Sequence, residues 1–254
     1  MKQSPFLHCV TRSHPYWGIK RSNELHRIFK GMKPGDVLLD PFCGEAAPLV
    51  AALQYGAKVL AADINPVAVF LSKVLIQPVG LYALREAFEE IQKKVSDNIQ
   101  KRYTCKCPGC KKTVNYEYLK WVKEGQKDRP ESVRITCKYC GFNRLKRLSK
   151  FQIQRQRSDS KDPPEQWYPK KKIKLSGEKG AFYIQDLFTK RNLKSLAELL
   201  NAINKISSAR CRETLQYVFT GILTSCITMQ NRTAKFRATS CWWETSEFFS
   251  PSTG

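Results

Sequence analysis

Two spacings of apolar positions alternate along the first hundred residues. Leu25, Ile28 and Phe29 recur at helical steps after Ser22, and the pattern stops at Lys33-Pro34-Gly35, a turn signal. The next run, Val37-Leu38-Leu39-Asp40, is short and continuous, which predicts a buried strand. From Pro48 to Tyr55 the helical step returns, with Leu49, Ala52 and Leu53 on one face and Gly56 placed to end the helix. Lys58-Val59-Leu60-Ala61-Ala62-Asp63 predicts a second strand. Pro66, whose missing N–H is harmless in a first helical turn, opens a third helix through Val67, Phe70, Leu71 and Val74. Strand, helix, strand, helix in this order predicts parallel strands joined by right-handed crossovers.

A long amphipathic helix is predicted from Leu81 to about Arg102, with Leu84, Phe88, Ile91, Val95 and Ile99 at three- and four-residue steps. A cysteine-bearing segment, 103–148, interrupts the pattern. Residues 149–180 are rich in Gln, Arg, Lys, Ser and Pro and contain Lys170-Lys171-Lys172-Ile173-Lys174, which reads as a mostly irregular basic linker. Thr189 is placed to cap a helix through Leu193, Leu196, Leu199, Leu200 and Ile203, and an apolar helix follows from Thr214 to Met229. The expected organisation is therefore an α/β part (1–102), an inserted module (103–148), a linker (149–180) and a helical continuation of the α/β part (181–254).

Composition narrows the classes. Apolar residues make up 42% of the chain and can fill a core, yet no apolar run reaches the roughly 18 residues of a membrane span. The start, Met1-Lys2-Gln3-Ser4-Pro5, lacks the apolar stretch of a secretory signal, so the expected location is the cytoplasm, with no membrane partner. Ten cysteines in a reducing compartment favour metal ligation over disulfides. The net charge of +22 implies a polyanionic partner. Its distribution is uneven: 24 basic and 9 acidic residues fall within 101–190, a net +15. Nucleic acid is the expected partner class.

Candidate chemistry begins at Asp40-Pro41-Phe42-Cys43-Gly44, where a parallel strand gives way to a helix. Open α/β sheets bind ligands in that crevice. Gly44 permits close approach of the backbone to a bound molecule. Asp63 ends the neighbouring strand, where a carboxylate accepts hydrogen bonds from both ribose hydroxyls of an adenosine-type ligand. A dinucleotide would need Gly-x-Gly-x-x-Gly after the first strand, and none is present.

Together, Val-Leu-Leu-Asp40-Pro-Phe-Cys-Gly44, Leu-Val-Ala-Ala-Leu53 and Ala-Asp63-Ile-Asn-Pro-Val-Ala-Val-Phe70 resemble the cofactor motifs of DNA adenine and cytosine amino-methyltransferases. The resemblance is to the zinc-ribbon-bearing, adenine-specific members of that family, and it implies a Rossmann-like S-adenosylmethionine-dependent methyltransferase sheet with an inserted zinc ribbon and C-terminal helices. It further implies that His14 and Tyr16, within His14-Pro15-Tyr16-Trp17, approach the methionine end of S-adenosylmethionine. Asp40, Phe42 and Gly44 would line that side, Asp63 would hold the ribose, and Ile64 and Asn65 would lie beside the adenine. One departure stands out: the family continues Gly44 with Ser-Gly-Thr, whereas this chain has Glu45-Ala46-Ala47.

Cys107-Pro108-Gly109-Cys110 and Cys137-Lys138-Tyr139-Cys140 are two Cys-x-x-Cys knuckles separated by 26 residues, a spacing that closes a tetrahedral zinc site. Cys105 is an alternative to Cys107, the latter having the regular spacing. Tyr116, Tyr118, Trp121, Lys111, Lys112, Arg144, Lys146 and Arg147 around the knuckles suit contact with the phosphates of DNA, the alternative being a ribbon that is merely structural.

Methylation of an exocyclic amine needs acceptors that steer the amine and an aromatic ring that stacks on the base. In the family this is Asp or Asn, Pro, Pro, then an aromatic residue. Asp162-Pro163-Pro164 has Glu165 in the aromatic position and lies in polar sequence, so it reads as a decoy. Trp167-Tyr168-Pro169, Asp186 to Leu193 and Ser225 to Met229 resemble family segments that precede the catalytic motif. The expectation is thus a DNA methyltransferase of the restriction-modification kind, acting on adenine N6 first and the cytosine amine second, cut short before its catalytic motif. A truncated gene, a partial sequence or a split enzyme with a second polypeptide supplying the motif would look alike. The alternative is a zinc-ribbon nucleic-acid-binding protein whose methyltransferase-like domain is inactive.

Overall fold

A computed structural model of the chain describes residues 22–124, 127–149, 163–174 and 181–226. The protein is mixed α/β, with small sheets. Two compact units divide the described residues: 22–85 with 207–221, and 86–206 with 222–226.

The first unit begins with α1 (Ser22–Phe29), which buries Leu25 and Phe29, one turn apart. The chain turns at Gly35 into β1 (Val37–Asp40), crosses through α2 (Ala47–Leu53), and returns as β2 (Lys58–Ala61) parallel to β1, with Leu38 opposite Val59 and Asp40 opposite Ala61. Helix α2 buries Ala47, Leu49, Val50, Ala51 and Ala52, a small-residue face that lets it lie close against its neighbours. Gly56 ends this passage at φ 77, and a side chain there would collide with the Pro34 ring, its Cβ only 3.2 Å from that of Pro34. Helix α3 (Pro66–Ile76) follows β2.

Among the described residues the parallel sheet holds these two strands. The Val37–Asp40 run, expected to be buried, is covered on one side only: Leu38 and Val59 pack into the core, while Val37, Leu39 and Leu60 are exposed. A continuous apolar run matches a strand covered on both faces, but the packed neighbours among the described residues lie on one face.

The second unit takes most of α4 (Leu81–Arg102), a 22-residue helix. It leads into hairpin β3 (Thr104–Lys106) and β4 (Thr113–Asn115), then an antiparallel sheet of β5 (Tyr118–Glu124), β6 (Lys127–Thr136) and β7 (Asn143–Arg147). Their core is Cys107, Val114, Tyr116, Val133, Ile135, Cys137 and Leu148. The basic segment expected to be irregular contains β8 (Lys172–Lys174), paired antiparallel with β9 (Ala181–Tyr183). β-Pairing satisfies the backbone of this lysine-rich stretch without an apolar run to announce it. Helix α5 (Lys190–Asn204) is capped by Thr189, whose hydroxyl accepts the Asn192 N–H at 3.2 Å. Helix α6 (Ala209–Cys226) divides between the two units; the Thr214–Met229 helix expected from sequence begins five residues late and runs past the described residues. No described helix is long and apolar enough to cross a membrane.

Candidate functional site

Parallel pairing sets the ends of β1 and β2 side by side, so the segments that leave them meet. Asp40 closes β1 and its Oδ1 accepts the Phe42 N–H at 3.1 Å, a local turn that points the chain away from the sheet. Cys43 N–H then donates to the Ala62 carbonyl, stitching this turn to the end of β2. Gly44 adopts φ 52, in the left-handed region that favours glycine.

Asp63 joins the two segments. Its Oδ2 accepts the Gly44 N–H at 2.9 Å and its Oδ1 accepts the Asn65 N–H at 2.8 Å. The N–H groups of Asn65 and then Gly44 hold the carboxyl below the usual carboxylate value, against a smaller opposing effect of desolvation. The Ile64 N–H adds a smaller contribution in the same direction, and a carboxylate has about four acceptor positions, more than these three donors fill. Asn65 caps α3 by accepting the Val67 N–H at 3.0 Å. Two apolar side chains stand uncovered beside these polar groups: Phe42 is 81% exposed and Ile64 98%.

Sequence reasoning passed over Ser72, a small polar residue in the mostly apolar α3. Its hydroxyl donates to the Gly44 carbonyl at 2.8 Å and lies 3.3 Å from Cys43 Sγ. The Gly44 peptide is thus held from both sides, by Asp63 and by Ser72. Ala46, where the amino-methyltransferase pattern has glycine, sits at φ 68 and ψ 12 and is fully buried. A non-glycine residue in that region carries strain of about 1–2 kcal/mol.

The second site is built by two equivalent knuckles. Cys107 N–H donates to the Lys112 carbonyl and its own carbonyl accepts from Lys111; Cys137 N–H donates to the Phe142 carbonyl and its carbonyl accepts from Gly141. The corresponding turn residues, Lys111 and Gly141, have φ 61 and 70. Both turns aim sulfurs inward, and Cys107, Cys110, Cys137 and Cys140 bring four Sγ atoms within 4.8 Å of one another. Cys107 and Cys140 are 3.6 Å apart at sulfur, as are Cys110 and Cys137. Four thiolates at about 2.3 Å from one tetrahedral ion stand about 3.8 Å from each other, whereas disulfide sulfurs are about 2.05 Å apart, so the donor set fits an ion. Cys105 lies on β3 opposite Val114, outside this group, and desolvation pushes its thiol up.

The four sulfurs compete for charge. Desolvation raises Cys137, but the N–H groups of Tyr139 and Cys140 and the thiols of Cys107 and Cys110 outweigh it and bring it to about 7. For Cys140 the Phe142 N–H favours the thiolate, yet desolvation and the neighbouring sulfurs push it up to about 11. A cation removes that conflict, since metal binding and thiol deprotonation are linked.

Around the knuckles Lys111, Lys112, Arg144 and Arg147 are exposed and Lys146 is partly so. Tyr116, expected at this surface, is instead 6% exposed and in the core, its OH donating to the Arg102 carbonyl at 3.4 Å. Alternation along β4 and past its end turns Tyr116 inward with Val114. The Tyr118 and Trp121 side chains lie outside the described residues, as do His14, Tyr16 and Asp162. Of the Asp162-Pro163-Pro164 segment, Pro163 is exposed and Pro164 buried.

Three curated relatives match a limited part of the chain. The tRNA (guanine(37)-N(1))-methyltransferase of Leishmania braziliensis is 44% identical over 65 residues, 26% of this chain and 9% of the relative. That of Leishmania major is 42% identical over 65 residues, 26% of this chain and 10% of the relative. That of Drosophila pseudoobscura pseudoobscura is 45% identical over 56 residues, 22% of this chain and 13% of the relative. The chain thus spans roughly a tenth of the length of the curated relatives it matches. No family model matches it, and no solved structure does. The matched relatives are RNA methyltransferases by name, which overturns the resemblance to the adenine-specific DNA methylase family. The residues behind that resemblance, Asp40, Gly44 and Asp63, suit an adenosine-type cofactor, and a cofactor site is indifferent to the base that receives the methyl group. What the chain shares with its relatives is similarity to methyltransferases.

Proposed function

We propose that the ends of β1 and β2 bind S-adenosylmethionine and that the chain serves methyl transfer to RNA. The carrying observation is the Asp63 carboxylate, fixed between the Gly44 and Asn65 N–H groups at the end of β2, with acceptor capacity beyond the N–H groups it meets. In this reading Asp63 takes the ribose hydroxyls, Ile64 offers an apolar face to the adenine, and Asp40, Phe42 and Gly44 border the methionine portion. The cofactor, when bound, supplies an electrophilic methyl group. The residues of this chain bind and orient it: Ser72 and Asp63 fix the Gly44 peptide, and Asn65 fixes the start of α3. The Rossmann-like sheet belongs to this proposal, with β1 and β2 as its first strands. The RNA acceptor is supported by the names of the relatives.

The four-cysteine module holds zinc in the same proposal, through Cys107, Cys110, Cys137 and Cys140, and presents basic residues to nucleic acid. A second reading, nucleic-acid binding without transfer, is favoured by the exposed lysines and arginines of that module. Titration calorimetry with S-adenosylmethionine tests the cofactor site: measurable binding that weakens in Asp63→Ala supports it, and no heat at millimolar cofactor removes it.

A further inference from the structure

The four-cysteine module carries a cleft of about 340 Å³ beside its second knuckle. It is lined by Gln100 from the end of α4, Thr113, Val114 and Asn115 from β4, Thr136 from β6, and Lys138 and Tyr139 from the knuckle. Cavities that take small organic ligands begin at about 300 Å³.

The lining is selective in type. No carboxylate contributes, and the one charged residue is Lys138. Asn115 and Gln100 bring amides that both donate and accept, and Thr113 and Thr136 bring hydroxyls, a set suited to the edge of a nucleobase. Tyr139 is 52% exposed. It is an aromatic ring held at a fixed place by the metal-binding turn that contains it, between Cys137 and Cys140. Two cations already attend that ring: Lys112 Nζ is 4.4 Å from its centroid and Lys138 Nζ 5.4 Å. Exposed rings flanked by lysines are how single-stranded nucleic acids are held without sequence reading, the base stacking on the ring and the cations meeting the phosphates. Duplex bases are stacked on each other and offer no free face to such a ring.

We infer that this cleft binds one unpaired nucleotide of a single strand, with Tyr139 as the stacking platform, Lys138 and Lys112 on the flanking phosphates, and the Asn115 and Gln100 amides facing the base edge. The inference rests on the proposed function only in taking nucleic acid as the partner; the cleft shares no residue with the cofactor site, and binding is read without methyl transfer.

The test uses the whole chain loaded with zinc and fluorescence anisotropy with three labelled probes: a short oligouridylate, a matched oligothymidylate and a matched DNA duplex. RNA and DNA strands distinguish the source of the nucleotide, and the duplex reports charge attraction alone. Tyr139→Ala is expected to weaken single-strand binding about five- to a hundredfold, with duplex binding unchanged. Tyr139→Phe retains binding, and Lys138→Ala lowers the salt slope by about one. Zinc content shows whether each variant keeps its knuckles. Unchanged single-strand affinity in a zinc-loaded Tyr139→Ala protein overturns the inference, as does equal affinity for all three probes. If Tyr139→Ala loses zinc, photocrosslinking of a 5-iodouracil oligonucleotide to the unaltered chain decides: adducts within 113–115 or 136–139 sustain the cleft, and adducts confined elsewhere overturn it. Cofactor calorimetry on the same preparations separates failure of the cleft from failure of the cofactor site.

Discussion

Gly44 donates its N–H to the Asp63 carboxylate at 2.9 Å across 19 residues of chain, so the turn after β1 and the turn after β2 are one construction. Removing Asp63 therefore does two things. It takes away the acceptor proposed for the ribose hydroxyls, and it releases Gly44 and Asn65 from the positions they hold. Asp63→Ala is expected to weaken S-adenosylmethionine about ten- to a hundredfold in calorimetry. Asp63→Asn, which keeps one acceptor oxygen, falls between the two. The pH dependence has a definite sign. The folded carboxyl titrates below its unfolded value of about 3.9, so its contribution is complete above that value and fades as pH falls through the folded one. Asp63 thus leaves stability flat from neutral pH down to about 5, and its loss begins only below about 4. An Asp63-dependent loss of thermal stability between pH 7 and 5 would contradict the hydrogen-bond pattern.

How much of this was legible beforehand depends on how local the cause is. Gly56 as a helix stop, Pro66 at the start of a helix, and Thr189 as a cap all act within a few residues, and each does what its residue type permits. The four cysteines are legible because metal ligation prescribes their spacing. Ser72 is not: its role lies in reaching Gly44, 28 residues away, and nothing in the helical pattern marks it. Tyr116 and Tyr139 look alike in sequence, and only the placement of the strands buries the first and exposes the second. The family resemblance was misjudged for a different reason. The quoted motifs were read as cofactor residues, and such residues report the cofactor rather than the methyl acceptor.

The near-symmetry of the two knuckles has a measurable consequence. Lys111 and Gly141 fill the same left-handed turn position, but only glycine is free of strain there. Gly141→Ala is expected to destabilise the module by about 1–2 kcal/mol. Lys111→Gly relieves comparable strain and loses about 0.5–1 kcal/mol to the greater freedom of the unfolded chain, so its net effect is small and favourable. At Gly109 an added Cβ would sit 3.1 Å from Cys140 Sγ, so Gly109→Ala is expected to weaken zinc. Competition with a chromophoric chelator ranks the three. Elemental analysis sets the baseline, one zinc per chain, absent from the Cys137→Ser, Cys140→Ser double variant. Full zinc in that double variant would remove the metal assignment.

Arg102 and Glu198 tie α4 to α5. Two nitrogens of the guanidinium meet two oxygens of the carboxylate, at 2.8 and 2.5 Å, with side chains 18% and 16% exposed. Beside them Tyr103 OH donates to Asn192 Oδ1 at 2.9 Å, and the Arg191 guanidinium lies 5.2 Å from the Tyr103 ring centroid and 5.5 Å from that of Tyr116. Bidentate geometry and low exposure set this pair apart from surface ion pairs such as Lys94 with Glu90. Removing one partner leaves the other charge poorly solvated. Glu198→Ala is expected to cost about 2–3 kcal/mol, and the Arg102→Ala, Glu198→Ala double variant less than the sum of the singles. Urea unfolding of the four proteins measures the coupling, and strict additivity would show that the contact carries no energy. Lys94→Ala, by comparison, is expected to change stability by less than about 0.5 kcal/mol.

The remaining prediction concerns the reaction. If the strand ends bind S-adenosylmethionine and RNA is the acceptor, tritium from the labelled cofactor methyl group enters unmodified tRNA and not duplex DNA. The acceptor preference and the cofactor dependence come from different parts of the chain, so they should fail separately. Asp63→Ala lowers incorporation by weakening cofactor binding, and saturating cofactor restores much of it, because Asp63 touches no acceptor base in this proposal. Tyr139→Ala leaves cofactor affinity unaltered and raises the RNA concentration needed for half-maximal incorporation. Incorporation into duplex DNA in preference to tRNA would reject the acceptor class while keeping the cofactor site. Cofactor binding without incorporation into either substrate would reject transfer by this chain and leave the second reading, a nucleic-acid-binding protein with a cofactor-binding strand end.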